Sequence, residues 1–271
     1  MERVVRLNTK PLRLLQLTDP HLGAHASETL IGLNTEESLL DVLNRVRDSG
    51  AIYDLIIATG DISNDGTLAS YQRFIDRVKE YLPNVPLAWL PGNHDNPKNM
   101  AKFPKEQIWT EDFSFGQWQF LLLNSRIPFE EGGELSPGEL ARLERALNLR
   151  PERNTLVLLH HQPVAVGSAW IDQYVVKTAE PFFNILNRHP NVKAVCWGHV
   201  HQAFEAQKGD LKLFASPSTC VQFTPNSEQF QVDHLMPGCR SFLLHANGAV
   251  ESEVIRAQDR IYCIDYNSTG Y

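Results

Sequence analysis

The stretch LLQLTDPH, residues 14–21, joins an apolar run of strand length to an aspartate and a histidine. Four later apolar runs also end in short polar segments. The five segments are Asp19-Pro20-His21, Gly60-Asp61, Gly92-Asn93-His94-Asp95, His160-His161 and Gly198-His199-Val200-His201. Short apolar runs of this kind are typical of buried strands. We therefore expect each segment to lie at the carboxyl end of a strand, the edge where open α/β sheets bind ligands.

Helix signals separate the first three of these strands. Asn34 is an N-cap in front of Thr35-Glu36-Glu37, and apolar residues at helical spacing follow until Gly50. A second strand over Tyr53–Thr59 leads to an amphipathic helix near Thr67–Leu82. This β-α-β-α-β opening predicts parallel strands with right-handed crossovers.

The second half of the chain alternates less regularly. Ser136-Pro137-Gly138-Glu139 is a helix start with a Ser N-cap. Three strands without helices between them predict a second sheet packed on the first; they lie near Lys212–Ala215, Ser241–His245 and Val250–Arg256. Asn96–Ile108 and Thr224–Arg240 predict loops because they are rich in turn residues. The pattern alone indicates an α/β protein with mixed sheets, and without a low-complexity linker we interpret residues 1–271 as one domain.

Composition limits the classes of partner and compartment. The 271 residues are 42% hydrophobic and carry a formal charge of −7, which repels a polyanion such as duplex DNA. No apolar stretch approaches about 18 residues, so we expect no membrane span. The four cysteines show no C-x-x-C spacing, and no apolar leader is found near the N-terminus. These features predict a cytoplasmic protein with free thiols and no nucleic-acid or membrane partner.

Each polar segment has an ordinary structural reading when taken alone. Asp19-Pro20-His21 could be a turn after a strand, and Gly198-His199-Val200-His201 could be two polar positions of a strand. Five segments in this order, each behind an apolar run, favour a shared metal site instead.

This order, D-x-H, G-D, G-N-H-D, H and G-H-x-H, resembles that of the calcineurin-like metallophosphoesterases. The chain also resembles the bacterial class III cyclic nucleotide phosphodiesterases of the 3′,5′-cyclic AMP type. Further similar segments are Asn34-Thr35-Glu36-Glu37-Ser38, Leu159-His160-His161-Gln162-Pro163, Ser168-Ala169-Trp170-Ile171-Asp172-Gln173, Pro217-Ser218-Thr219-Cys220-Val221-Gln222-Phe223 and Gly270-Tyr271. The resemblance implies a four-layer αββα sandwich with two mixed β-sheets.

It also implies two divalent metal ions. The implied ligands are Asp19, His21, Asp61 and His201 for the first ion, and Asp61, Asn93, His160 and His199 for the second. Gly60 permits a close backbone approach to Asp61, the expected bridging carboxylate. Oxygen and imidazole ligands without thiolate favour iron or manganese, with zinc or cobalt as alternatives. Strand alternation would place the rings of the adjacent pair on opposite faces, and the resemblance implies His160 as the ligand and His161 as a supporting residue.

The resemblance implies catalytic roles for His94 and Asp95. His94 would contact the phosphate or assist the leaving group, and Asp95 would orient the ring or raise its basicity. The residues expected to bind substrate are His21, Asp61, Asn93, His94 and His201. The implied reaction is hydrolysis of 3′,5′-cyclic AMP to 5′-AMP by in-line attack of a hydroxide held by two metal ions, which lowers a second messenger in a bacterial cytoplasm.

Two alternatives remain at this point. Relatives with the same ligands act on glycerophosphodiesters or on many diesters, and in some relatives the fold is a protein-binding scaffold. The presence of His94 and of every implied ligand argues against the scaffold. Either a monomer or a homodimer is compatible with the sequence.

Other residues have weaker interpretations. Trp170 and Phe223 could stack on a base or belong to the core. The loop Ala24–Leu33 and the loop Asn96–Ile108 are candidates for base contacts. Cys220 is expected to be a packed thiol. Four histidines match no motif, namely His25, His189, His234 and His245, of which His234 is a weak candidate for lining a pocket.

Overall fold

The structure is a computed structural model that describes residues 10–104 and 108–270. Residues 105–107 of the predicted loop Asn96–Ile108 and Tyr271 of the Gly270-Tyr271 pair lie outside the described residues. The strands are β1 (Leu12–Leu17), β2 (Thr29–Leu30), β3 (Leu33–Asn34), β4 (Leu55–Thr59), β5 (Leu87–Leu90), β6 (Ile108–Trp109), β7 (Phe113–Phe115), β8 (Trp118–Leu122), β9 (Asn154–Leu158), β10 (Val192–Trp197), β11 (Phe204–Lys208), β12 (Leu211–Ala215), β13 (Gln222–Phe223), β14 (Val232–Asp233), β15 (Gly238–Leu244) and β16 (Val250–Arg256). The helices are α1 (Thr35–Asp48), α2 (Leu68–Tyr81), α3 (Pro97–Met100), α4 (Pro137–Leu149), α5 (Ala169–Asp172) and α6 (Ala179–Leu186).

The larger strands form two mixed sheets. The first sheet has the order β16-β15-β1-β4-β5-β6, in which β1, β4, β5 and β6 run parallel. The second has the order β11-β12-β10-β9-β8-β7, in which β12, β10, β9 and β8 run parallel. The predicted β-α-β-α-β opening is therefore confirmed, with α1 and α2 as the crossover helices.

Side-chain alternation along the strands creates four layers. Leu14 of β1 and Leu156 of β9 share a buried core between the two sheets. Their neighbours point the other way: Leu15 packs with residues of α1 and α2, and Val157 packs with residues of α4 and α6. Because both faces of both sheets are buried, their central strands are mostly apolar. The αββα sandwich implied by the resemblance is confirmed.

The predicted helix starts are confirmed by their caps. The Asn34 side chain accepts a hydrogen bond from Glu37 N, and the Ser136 side chain accepts one from Glu139 N. Among the described residues, no helix combines the length and apolar character needed to span a bilayer. The assignment of residues 1–271 to a single domain stays a prediction.

Two predictions, one about the second sheet and one about the loops, are wrong in part. Only β12 joins the second sheet, whereas β15 and β16 extend the first sheet beside β1, with Leu14 opposite Phe242. A strand's partner depends on contacts distant in sequence, which its own periodicity does not contain. The predicted loops also contain short elements: Asn96 caps α3, and β14 and the start of β15 lie within Thr224–Arg240.

Candidate metal centre

The five polar segments meet at the carboxyl ends of five strands. β1, β4 and β5 carry three of them from the first sheet, and β9 and β10 carry two from the second. Backbone hydrogen bonds join neighbouring turns: Asp19 N donates to Gly60 O at 3.1 Å, and Gly198 N donates to His160 O at 3.1 Å. His199 N donates to the Asp19 carboxylate at 3.1 Å and so connects the two sheets. One site therefore forms from residues that are far apart in sequence.

Most of the expected ligands have a left-handed backbone. The residues and their φ angles are Asp19 (52°), His21 (47°), Asp61 (47°), His199 (64°) and His201 (48°). Such a conformation costs a non-glycine residue about 1 kcal/mol or more, and it persists only where the surrounding structure enforces it. The strained residues lie in sharp turns after the strands, and these turns direct their side chains back toward the strand ends.

The first group of possible ligands contains Asp19, His21 and His201, whose ligand atoms lie within 4.8 Å of one another. All three are buried. His201 Nδ1 donates to Val221 O at 2.8 Å, so His201 Nε2 presents its lone pair to the group. His201 Nε2 lies 3.5 Å from Asp19 Oδ1 and 3.2 Å from His21 Nε2.

Asp61 lies between this group and the second. Asp61 Oδ2 is 3.8 Å from His21 Nε2 and 3.2 Å from His160 Nε2. Asp61 Oδ1 accepts a hydrogen bond from His94 N at 2.9 Å, which fixes the carboxylate. A single carboxylate can thus reach both groups, as a bridging ligand requires.

The second group contains His160, His199 and Asn93. His160 Nδ1 donates to Thr59 O at 2.8 Å, and His160 Nε2 lies 3.0 Å from Asn93 Oδ1. Both ring nitrogens of His199 are buried, and neither has a hydrogen-bond partner among the described residues. A buried unpartnered nitrogen is costly, and a bound cation would remove that cost. The donors present therefore fit two divalent ions.

His161 lies near the second group but is occupied elsewhere. His161 Nε2 donates to Glu131 O at 3.1 Å, and His161 Nδ1 lies 2.8 Å from Ser125 Oγ. These contacts favour His160 as the ligand. The expected placement of the two rings on opposite faces is wrong: their centroids are 4.9 Å apart, because β9 ends at Leu158 and strand alternation ends with it.

His94 is half-buried at the edge of the metal centre. Its ring lies 4.9 Å from the His21 ring in an edge-to-face arrangement. Asp95 is buried and accepts hydrogen bonds from Gly92 N at 2.9 Å, Ser63 N at 3.1 Å and the Tyr71 hydroxyl at 3.1 Å. These contacts brace the loops that follow β4 and β5 and make Asp95 a positioning residue. Its predicted orientation of the His94 ring stays a prediction.

The pKa values of four buried groups, His21, His199, Asp19 and Asp61, suit metal binding. Burial lowers the pKa of His21 to about 3 and the pKa of His199 well below its usual value. Burial alone would raise the pKa of Asp19 and Asp61, but the charges of His201 and His160 outweigh it and hold both pKa values low. Neutral imidazoles beside ionised carboxylates are the forms that bind metal ions.

We expect metal binding to release about one proton from His160 at neutral pH. Burial lowers the pKa of His160, but the charge and hydrogen bond of Asp61 outweigh burial and raise it to about 9. In the metal-free protein the protonated ring contributes stability that is fully present below pH of about 6.5 and is lost as the pH rises through about 9. Metal affinity should rise over the same window. Calorimetric titration in buffers with different ionisation enthalpies measures the proton; affinity that is independent of pH there would contradict the prediction.

A cleft of about 480 Å³ opens beside the metal centre. Its lining contains Asn93, His94, Phe129, Glu130, Glu131, Trp170, Ile171, Gln173, Tyr174, His199, Phe230, Thr269 and Gly270. Trp170 therefore faces a ligand space. Phe223 is buried and stacks on the His201 ring with centroids 4.3 Å apart, so it positions a candidate ligand instead.

The candidates for base contacts need correction. No described residue of Ala24–Leu33 or Asn96–Ile108 lines the cleft. His234 stacks on Tyr266 instead of lining it, with ring centroids 4.1 Å apart. Cys220 is buried and burial raises its pKa to about 12, as a packed thiol requires.

Sequence reasoning missed most of the residues that line this cleft. Tyr174 directly follows Gln173, the last residue of a segment that carries the family resemblance, so that segment could have indicated Tyr174 as a lining residue. Gly270 belongs to the similar C-terminal pair. Phe129, Glu131 and Phe230 belong to no motif.

A family model described as calcineurin-like phosphoesterase matches residues 12–203. This range contains all five polar segments. Among solved structures, a dimetal phosphatase from Danio rerio is similar in fold, with a TM-score of 0.61 at 14% identity, over 92% of this chain and 100% of that one.

Two curated relatives are similar over nearly the whole chain. The 3′,5′-cyclic adenosine monophosphate phosphodiesterase CpdA of Vibrio vulnificus is 42% identical over 272 residues, 98% of this chain and 97% of the relative. The protein of the same name from Pseudomonas aeruginosa is 41% identical over 259 residues, 95% of this chain and 94% of the relative.

Proposed function

Since this chain belongs to the calcineurin-like phosphoesterase family, we propose that it is a metal-dependent phosphodiesterase that hydrolyses 3′,5′-cyclic AMP to 5′-AMP. The observation that carries the proposal is the position of Asp61 between two groups of buried ligands, next to a cleft that reaches Asn93 and His94. Relatives named for this activity match 98% and 95% of the chain.

The residues have distinct roles in this proposal. Asp19, His21, Asp61 and His201 would hold one ion, and Asp61, Asn93, His160 and His199 would hold the other. When bound, the two ions supply a water of lowered pKa and positive charge for the phosphate oxygens. Thr59 O and Val221 O hold the Nδ1 protons of His160 and His201, so that both Nε2 atoms remain available.

His94 acts on the substrate from the mouth of the cleft. Its backbone N–H donates to Asp61, which fixes the residue relative to the bridging carboxylate. In a 3′,5′-cyclic substrate the leaving group is the ribose 3′-oxygen, and a ring nitrogen of His94 donates the proton that this oxygen needs. Asp95 keeps the turn in place through Gly92 and Ser63.

We further propose iron or manganese as the ions, with zinc or cobalt able to replace them, because the donors are oxygen and imidazole. A cytoplasmic location, the absence of a nucleic-acid partner and a monomer or homodimer stay predictions. A broad-specificity or glycerophosphodiester activity is the alternative to test. A scaffold without activity is disfavoured by the complete ligand set.

Replacing Asn93 with alanine should lower kcat/KM for cyclic AMP by about 10²-fold or more, because the second ion loses an oxygen ligand. Metal-reconstituted wild type and variant are compared on cyclic AMP, cyclic GMP, glycerophosphocholine and bis(4-nitrophenyl) phosphate, and the nucleotide product is identified chromatographically. A higher kcat/KM for cyclic AMP with 5′-AMP as the product is the expected result for the wild type. Equal or higher efficiency on glycerophosphocholine would overturn the substrate assignment.

A further inference from the structure

The cleft beside the metal centre has two chemically different ends. Asn93, His94 and His199 form the end next to the ions. Trp170 and Tyr174 belong to the other part of the lining, together with further aromatic residues. A diester whose phosphate lies at the first end must place its remaining atoms against these rings.

The aromatic wall is preorganised by packing. Trp170 meets Phe230 edge to face, with centroids 5.0 Å apart, and it meets the buried Phe223 in the same way at 5.2 Å. Tyr174 lies 6.1 Å from the His199 ring, also edge to face. The wall is thus packed against ligands of both metal positions, since Phe223 stacks on His201.

Phe129 adds a ring on the solvent side of the cleft. Its side chain is fully exposed and its φ angle is 66°, an uncommon backbone conformation for a bulky residue. A turn in which Glu130 N donates to Ile127 O at 3.2 Å holds it there. No buried contact explains this position, whereas a planar ligand in the cleft would give the ring a stacking partner.

Glu131 is an acidic residue in the same wall, and its carboxylate can select between ligands by hydrogen bonding. Its carboxylate accepts a hydrogen bond from the Tyr174 hydroxyl at 2.5 Å, and its backbone oxygen accepts one from His161 Nε2. A carboxylate only accepts hydrogen bonds and can accept several. It therefore favours a ligand edge with an amino group and disfavours one with a carbonyl group.

The C-terminal segment forms another wall. Thr269 and Gly270 line the cleft. Asp265 N donates to Ile31 O at 2.9 Å, and the Tyr262 hydroxyl donates to Asp41 at 2.7 Å, which fastens the segment to the body of the protein. A cleft of about 480 Å³ closed in this way suits one mononucleotide.

We propose that this cleft is the nucleobase subsite, in which Phe129 and Trp170 stack on the base and Glu131 accepts from the exocyclic amino group of adenine. Guanine carries a carbonyl oxygen at that position, so Glu131 is a specificity-determining residue for adenine over guanine. This inference rests on the proposed function and names the part of the protein that selects its substrate.

The stacking part is tested with Phe129→Ala, because this exposed side chain contributes little to folding. We expect kcat/KM for cyclic AMP to fall about 10-fold. The comparison substrate is a 3′,5′-cyclic ribose phosphate that lacks a base, and its hydrolysis is followed by ³¹P NMR. Its kcat/KM should change by no more than about twofold in the same variant. Ile52→Ala removes another exposed apolar side chain, outside the cleft, and should leave the hydrolysis of both substrates unchanged.

The selectivity part is tested with Glu131→Gln, whose amide can donate to a carbonyl group. We expect the ratio of kcat/KM for cyclic AMP over cyclic GMP to fall about 10-fold. Glu134→Gln, a neighbouring change outside the cleft lining, should keep the wild-type ratio.

The outcomes separate this inference from the proposed function. If wild-type protein prefers other diesters to cyclic AMP, the proposed function fails. If wild-type protein prefers cyclic AMP but Phe129→Ala affects the base-free substrate equally, or Glu131→Gln keeps the ratio, the subsite is wrong while the function stands.

Discussion

Asp61→Asn should lower kcat/KM for cyclic AMP by about 10³-fold or more, because we propose this carboxylate as the ligand shared by both ion positions. Asp61 Oδ2 lies within 3.8 Å of His21 Nε2 and 3.2 Å of His160 Nε2. The amide keeps an oxygen for the His94 N–H, so the turn should survive. It would remove the negative charge and one oxygen ligand, so the mutual repulsion of two cations held at this site would be less compensated.

The measurement pairs steady-state kinetics with metal content by mass spectrometry. We expect wild type to hold two ions per chain and Asp61→Asn to hold fewer. Asp65→Asn is the control, since Asp65 follows Asp61 closely and accepts a hydrogen bond from Ala24 N but belongs to neither ligand group. If Asp61→Asn kept two ions and near-normal turnover, the bridging role would be excluded.

Gly60→Ala should destabilise the protein by about 3 kcal/mol or more and weaken metal binding. A Cβ atom at Gly60 would lie 2.4 Å from His160 Nδ1 and 2.7 Å from Gly92 N, and Gly60 has a φ angle of 97°. A Cβ atom at Gly92 would in turn lie 2.5 Å from Asp61 N. The turns after β4 and β5 therefore pack backbone against backbone, and a methyl group must push the ligands apart.

Gly116→Ala separates collision from backbone strain. Gly116 also has a positive φ angle, 59°, but nothing lies within 4 Å of an added Cβ atom. Gly116→Ala should lower the free energy of unfolding only by the strain of a left-handed alanine, about 1 kcal/mol. Urea unfolding of the metal-free and metal-loaded proteins measures both variants. If Gly60→Ala and Gly116→Ala lost the same free energy of unfolding, close packing of the turns after β4 and β5 would not be required.

Local sequence patterns predicted the elements that build the site. The caps at Asn34 and Ser136 mark helix starts because side-chain oxygens accept from backbone N–H groups a few residues away. The five apolar runs became central strands because only buried strands are apolar on both faces. Polar residues directly behind such strands meet at one edge of the sheet, so ligand types and their order could be read from the chain.

Patterns within one segment did not predict contacts between distant segments. The sheet that β15 and β16 join depends on pairing with β1, more than 200 residues away. The separate roles of Trp170 and Phe223 depend on which ring lies behind His201. The lining of the cleft comes from six segments, and Phe129, Glu131 and Phe230 belong to no motif.

From the sequence alone, strand and helix signals gave the α/β class with mixed sheets, and the order of the short polar segments gave the family resemblance, which implied the αββα sandwich and the residues proposed to hold two metal ions. Only the tertiary structure decided which ring nitrogens of His160 and His201 point toward the candidate metal centre, since Thr59 O and Val221 O accept from the others. It also decided that Asp95 braces two loops and that an aromatic, acidic cleft adjoins His94. These features arise from distances between segments, which a one-dimensional pattern does not contain.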